Sequence, residues 1–522
     1  MKRIPVHPLL LALVPVASMY AAVPGSAILA ELARAAAAAV LVAAACLAVA
    51  WAVFRDGRKA ALFTSVFLIV FLVVGATYRS LEDWQVAGLR LARRRYFVPA
   101  VYLALAAFGF ALYRTRRSLA VVTTLANVVM LGALIPPVIS ITRAQMVRSR
   151  EQAAMPALAP VVAGAPAAQQ RPDIYYFVFD RYGGEQTLRT FGVDPEPLYH
   201  YLEQRGFYVA RASRANYIKT VLSLASSLNM ALLDDVSRAY GTDSQNWDPV
   251  YTRLQRHRVG AFLRDQGYQY FHLGSWYWPT RTNVLATRNQ NYYVEVPKPL
   301  VLLLDNVLFE PFQRWADSPL VDQRRQHWYR SVREIEDVLE IAPQPGPKFV
   351  FLHLLVPHQP YVFDRDGSYV PIDVENHRSR DRNYANQVLA ANRMIRHLVD
   401  GILERSPAPP VIIVQGDEGP YPEGTERDGY EWRKASVDIL QQRAGILNAY
   451  LLPNAPGVRL YPEISPVNSF RVVFNTYFGT ALPLLPDRTF RHASDQAPYA
   501  FDDITDLVSQ GRRETQVAHH AR

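Results

Sequence analysis

The chain has 522 residues, half of them hydrophobic and a fifth charged, with 37 prolines and a single cysteine, Cys46. One cysteine excludes an intrachain disulfide framework and any Cys-rich zinc or iron–sulfur site, while the length allows two to four domains of ~100–200 residues. Residues 1–145 hold 15 Lys and Arg against 4 Asp and Glu, whereas the remaining 377 hold 41 against 42, which excludes a basic nucleic-acid-binding domain and ties the positive excess to membrane topology.

Five apolar runs, near 8–24, 33–53, 60–78, 97–113 and 119–141, approach the ~20 residues that span a bilayer. The basic loops Arg55, Arg58, Lys59 and Arg114, Arg116, Arg117, with Lys2 and Arg3, are expected on the cytoplasmic side. An odd number of spans then delivers everything after Arg143 to the outer face. Arg90, Arg93, Arg94 and Arg95 run against this pattern. The stretch Leu81–Arg95, with Leu81, Trp84, Leu89 and Leu91 among its charges, is expected as an amphipathic helix lying at headgroup level. The first run reads as an uncleaved anchor, because four more spans follow it.

Residues 146–170 form an Ala/Pro linker, expected to be a semi-flexible tether between a transmembrane domain, 1–145, and an α/β domain, 171–480. In that second domain Ile174–Phe179 is a strand closed by Asp180. Helices follow near 195–205, Val221–Leu233 and Pro249–Gln266, then a strand, Tyr268–Leu273, and an irregular aromatic stretch, Gly274–Asn291. A helix near 321–341 leads to the strand Lys348–Leu355, and helix 381–404 to the strand Val411–Gln415. Ala444–Leu452 is a further strand, and Pro466–Phe478 a helix with Ser465 as its cap and Pro at its first position. Residues 481–522 are expected as an irregular tail, disordered from Gly511. Short apolar strands alternating with amphipathic helices predict a mostly parallel central sheet with helices on both faces, whose ligands bind at the carboxyl ends of the strands.

The residues with chemistry fall at those ends. Asp180, Asp417 and Glu418 are three carboxylates on one rim; clustered anions persist when a cation neutralises them, and oxygen ligands favour hard divalent ions. The alternative is that each acid only opens a turn. Thr220 begins a helix, where backbone N–H groups stabilise an anion, or it is simply the N-cap. His358, in PHQPY just past a strand, is placed to protonate a leaving oxygen or grip a phosphoryl oxygen. His353, inside the apolar strand, reads as a core or supporting histidine. Trp276 and Arg281 either line a substrate groove or pack a loop.

Together these segments resemble the alkaline-phosphatase superfamily in its membrane-anchored, sulfatase-like branch, which includes lipoteichoic acid synthases and phosphoethanolamine transferases. The resemblance covers roughly 171–480. It implies that Asp180, in PDIYYFVFDRYGG, binds metal, and that Thr220, in a T-x-x-S-L pattern, is the nucleophile and a metal ligand. It also implies that Asp417 and Glu418, in QGDEGPYP, complete the metal site, and that His358 binds substrate. From the residues alone, Trp276, Arg281 and His353 are the further candidates for substrate binding. Two departures stand out. Glu418 replaces the usual histidine, which makes the expected site all-oxygen and favours Mn²⁺ or Mg²⁺ over Zn²⁺. Beyond residue 418 the next histidine is His492, so a further histidine of many relatives has no evident counterpart. The formylglycine motif of conventional sulfatases, C/S-x-P-x-R, is absent from the sequence.

The expected function is transfer or hydrolysis of phospho-substituents, of phosphoethanolamine or phosphoglycerol type, on envelope lipids or lipid-linked glycans. The enzyme would be a multi-pass protein of the inner (plasma) membrane acting at its outer face, with no nucleic-acid partner. The alternative is a membrane binding or scaffold protein that keeps the fold without turnover, for which Glu418 is the discriminating residue.

Overall fold

The structure is a computed structural model that describes residues 5–22, 29–81, 85–86, 89–90, 94–154, 157–164, 171–292, 322–425, 430–455 and 457–509. The chain divides into two compact units, one built on the N-terminal helices and one on a central sheet.

The first unit holds α1 (His7–Ala22), α2 (Leu29–Phe54), α3 (Gly57–Leu81), α4 (Arg94–Arg114) and α5 (Ala120–Ala154). Four of them contain segments long and apolar enough to cross a membrane: Leu32–Phe54, Gly57–Val74, Arg95–Arg114 and Ala120–Val147. α1 has 16 residues, about 24 Å at the helical rise, short of the ~30 Å hydrocarbon layer. The first of the five expected spans is therefore, among the described residues, a shorter apolar helix. Its start is tied to the others by hydrogen bonds: Asn127 Oδ1 accepts from the backbone N–H groups of Val6 and His7, and His7 Nδ1 lies 2.7 Å from Ser65 Oγ. The amphipathic helix expected over Leu81–Arg95 is not formed at its described positions. Gln85–Val86 pairs antiparallel with Leu89–Arg90, and most of that stretch lies outside the described residues.

In the second unit a seven-stranded sheet is made by β1 (Ile174–Phe179), β2 (Tyr208–Val209), β3 (Gln269–Leu273), β4 (Arg288–Gln290), β5 (Lys348–Leu354), β6 (Val411–Gln415) and β7 (Asn448–Leu451), in the order β2-β7-β6-β1-β5-β3-β4. The pairs from β6 through β4 are parallel; β7 is antiparallel to both β6 and β2. β1 sits between β5 and β6 and is buried along its whole length. Its side chains alternate: Tyr175, Phe177 and Phe179 enter one core with the helices Gln323–Ile341 and Arg380–Arg405, while Ile174, Tyr176 and Val178 enter the other with Thr220–Asn229 and Pro466–Phe478. A strand covered on both faces needs apolar residues at every position, hence the unbroken run IYYFVF.

The expected strands and most expected helices form close to their predicted bounds. The single helix expected over Pro249–Gln266 is two, Asp248–Gln255 and Arg258–Asp265, because His257 turns extended and its ring accepts the N–H of Gly260 as a cap. Ser465 precedes the helix Pro466–Phe478 but does not cap it with its side chain. Its hydroxyl goes to Asp487, and Asn216 Oδ1 accepts the N–H of Val467 instead. The linker continues α5 as helix to Ala154, and Gly164 donates its N–H to the carbonyl of Phe478. The region expected as an irregular tail carries a hairpin, β8 (Phe490–Ser494) with β9 (Ala497–Asp503), whose Phe490 and Tyr499 belong to the buried core. The expected disorder from Gly511 falls outside the described residues.

Candidate active site

The three central strands end together, and each presents an ionisable group there. Asp180 follows β1, and its N–H donates to the carbonyl of Leu354 in β5. His353 is paired beside Val178 in β5, and Gln415 flanks the same residue from β6, two positions before Asp417. Asp180, His353 and Asp417 are all buried, and their nearest donor atoms lie within 4.8 Å of one another. His353 Nε2 is 3.2 Å from Asp180 Oδ2. Arg181, which adopts the left-handed conformation (φ 65°), donates its N–H to Asp417 Oδ1 at 2.9 Å.

Burial pushes the Asp180 carboxyl up to about 7; the Arg181 guanidinium opposes that rise and the Glu418 charge adds to it. Asp417 is raised well above the usual carboxylate range by burial and by the charges of Asp180 and Glu418. Burial also holds His353 down, at about 4, so its imidazole is neutral near pH 7. Asp180 Oδ1 and Asp417 Oδ2 are buried without a hydrogen-bond partner, the nearest cation to Asp180 Oδ1 being Arg181 Nε at 3.8 Å. Two buried carboxylates, each with an oxygen lacking a hydrogen-bond partner, grouped with a neutral imidazole, fit a divalent cation.

Glu418, expected as a ligand, is engaged elsewhere. Its Oε2 meets Arg443 Nη2 at 2.5 Å with both side chains buried, and its Oε1 accepts a hydrogen bond from the Thr220 hydroxyl at 3.3 Å. The compact metal-type group contains His353 in its place. That nitrogen donor removes the all-oxygen basis for preferring Mn²⁺ or Mg²⁺ over Zn²⁺.

Thr220 is the first residue of its helix; the N-cap position belongs to Lys219, which is extended. The hydroxyl thus makes no cap and points at the acids. Ser223, one turn on, donates to the carbonyl of Asp417 at 2.7 Å, which fixes the helix start against the end of β6. Gly419 is required by the close approach of another helix, Val437–Ala444, since a Cβ there would lie 1.8 Å from the carbonyl oxygen of Gln442.

His358 is not one of the three residues of the metal-type group; its ring lies edge-on to Trp276 at 5.7 Å, and burial and the nearby Arg181 charge lower its pKa. Trp276 also meets His327, at 6.3 Å. Arg281 donates to the carbonyl of Trp276, bracing the aromatic loop.

Several residues of the site carry no sequence signal. Arg443 also donates to the carbonyls of Ile218 and Gly419 and lies 3.8 Å over the Tyr421 ring, whose environment it shares with Arg181 at 4.1 Å. His492 comes in on the hairpin: its Nε2 is 3.4 Å from Asp495 Oδ1, and Asp495 pairs with Lys219, the neighbour of Thr220, at 2.8 Å.

Residues 207–458 match the Sulfatase family model. No curated protein matches the sequence. Among solved structures, the chain is similar to the C-terminal periplasmic domain of EcEptC from Escherichia coli in complex with Zn (12% identity, 66% of this chain and 96% of that one, TM-score 0.44). It is also similar to the integral membrane protein lipooligosaccharide phosphoethanolamine transferase A (EptA) from Neisseria meningitidis (14%, 76% and 71%, TM-score 0.38). A third likeness is to BT1596, a 2-O GAG sulfatase (10%, 60% and 72%, TM-score 0.40).

Proposed function

We propose that this sulfatase-family domain, on its alkaline-phosphatase-like sheet, transfers or hydrolyses phospho-substituents on envelope lipids or lipid-linked glycans, with Thr220 as nucleophile. The observation that carries the reading is the Thr220 hydroxyl: it begins a helix, caps nothing, and donates to Glu418 beside the Asp180–His353–Asp417 group.

Asp180, His353 and Asp417 would hold a divalent cation, which when bound supplies positive charge against a phosphoryl oxygen. The donor set of two carboxylates and one imidazole suits Zn²⁺ and Mn²⁺ alike. Thr220 Oγ1 forms the bond to phosphorus while Glu418 Oε1, already its hydrogen-bond acceptor, takes the hydroxyl proton and the leaving oxygen departs. Arg443 keeps Glu418 oriented for that transfer. The start of the Thr220 helix would add the favourable end of its backbone dipoles to the developing negative charge. His358, on its own loop beside Trp276, has its Nδ1–H directed to the Gln359 carbonyl, and its Nε2 would accept the proton of the incoming water or acceptor hydroxyl. Water or an acceptor hydroxyl then releases the group from Thr220.

The two basic loops, Arg55–Lys59 and Arg114–Arg117, support a cytoplasmic placement of the ends they share and hence an outer placement of this domain. A catalytic unit tethered beside the outer leaflet suits a lipid donor.

Full-length protein incubated with envelope lipids should carry a phospho-adduct on Thr220, seen by intact-mass and fragment analysis, and chelator should suppress it. Thr220→Ala should lose the adduct and turnover by several orders of magnitude while remaining folded. Turnover above roughly a tenth of wild type would remove Thr220 from the mechanism. Metal uptake without adduct or turnover would instead favour the non-catalytic binding protein, a reading supported by the engagement of Glu418 with Arg443.

A further inference from the structure

We infer that Thr280 is a positioning residue for His353, setting which ring nitrogen faces the carboxylates; the inference rests on the metal-site reading above. Thr280 ends a short turn, Trp278–Thr280, beyond β3. Its hydroxyl oxygen lies 2.7 Å from His353 Nδ1, while Nε2 of the same ring lies 3.2 Å from Asp180 Oδ2. Both residues are buried, so the ring's two nitrogens have these partners rather than water.

A hydroxyl both donates and accepts, and Thr280 therefore serves either tautomer. With the ring proton on Nε2, His353 donates to Asp180 and Thr280 donates to Nδ1. With the proton on Nδ1, His353 donates to Thr280, whose own hydrogen turns to the carbonyl of Tyr277 at 3.4 Å, and Nε2 offers its lone pair to a cation. The imidazole carries one proton in both arrangements, so neither buries an imidazolium. Ligating histidines are commonly fixed through their second nitrogen in this manner.

The turn is held in place by a file of buried side chains whose protons are settled by the contacts. The N–H of Gly260 makes His257 Nδ1 an acceptor, so His257 Nε2–H donates to the Tyr270 hydroxyl at 3.2 Å. Tyr270 in turn donates to His272 Nδ1 at 3.0 Å, and His272 Nε2–H donates to the Thr280 carbonyl at 2.8 Å. On either side Gln255 Nε2 donates to the carbonyl of Pro279 and Asn291 Nδ2 to that of Arg281. Gly274 lets this turn approach the end of β3: a Cβ there would lie 2.3 Å from the Thr280 carbonyl oxygen.

The test uses full-length protein in detergent, with Zn²⁺ affinity measured by competition against a chromophoric chelator. Thr280→Val keeps the shape and deletes the hydroxyl; it should weaken Zn²⁺ binding roughly 10–100-fold, and Thr280→Ser should restore it. Thermal unfolding of the metal-free variants checks that each is folded. Wild-type affinity in folded Thr280→Val, or equal loss in the Val and Ser variants, would reduce Thr280 to packing and overturn the inference while leaving the metal site standing. Absence of Zn²⁺ uptake by the wild-type protein would overturn both.

Discussion

Arg443 is fully buried, and its partners include Glu418, the carbonyls of Ile218 and Gly419, the face of Tyr421 and, at 5.5 Å, the ring of Trp432. A buried carboxylate and guanidinium are tolerable together, whereas either one alone is an uncompensated charge. Arg443→Met should therefore cost about 3–5 kcal/mol in chemical unfolding of the metal-free protein, and adding Glu418→Gln should recover part of the loss. Equal loss in the single and double variants would assign the cost to the carbonyl contacts. Arg443 is not legible in the sequence, because it lies on a short helix, Val437–Ala444, amid Gln and Asp, where an arginine reads as solvent-facing. The convergence of Asp180, Thr220 and Asp417 is legible, since an acid after an apolar strand and a hydroxyl before a helix both fall at the carboxyl ends of the strands. For Glu418 the adjacency to Asp417 is visible in the sequence, while its buried pairing with Arg443, well down the chain, is not. His353 is underrated for a related reason: its strand is buried at every position, so no alternation reveals which way the ring points.

At the scale of elements, the parallel strands and their long helices follow from apolar runs and amphipathic spacing, and they fall where the pattern puts them. The hairpin β8–β9 does not, because RTFRHASDQAPYAFDD is polar in composition and its few aromatics are spread over two strands. Those aromatics are what pack. Phe490 stacks on Tyr217 with ring centroids 5.3 Å apart, its N–H donates to the carbonyl of Asn216, and Tyr217 meets Phe501 from the other strand at 5.0 Å. Three residues beyond Tyr217 stands Thr220. Phe490→Ala should thus destabilise the protein by about 3–5 kcal/mol and lower turnover, measured side by side in full-length protein. An unfolding midpoint unchanged from wild type would show the hairpin to be an accessory.

On the scale of the whole molecule, the proposed orientation rests on the basic loops, and α1 matters less to it than its position first in the chain suggests. If α1 crosses the bilayer, the N-terminus is cytoplasmic; if it does not, the N-terminus is outside; in both cases the loops at 55–59 and 114–117 stay inside and α5 leads outward. A reporter active only on the outer side should work when fused after Arg143 and stay silent when fused at Lys59. Activity at Lys59 would reverse the orientation and with it the proposed outer substrate. The hairpin also has a consequence for biogenesis. All seven strands of the sheet and every one of Asp180, Thr220, His353, Asp417 and Glu418 are synthesised before residue 452, yet the face of Tyr217 is covered only once Phe490 and Phe501 have been made and delivered to the same compartment. Contacts this distant in sequence form late. On the proposed outer placement, a chain stalled during export would hold these five side chains without the packing around Tyr217, and the proposed activity would begin only once translocation is complete.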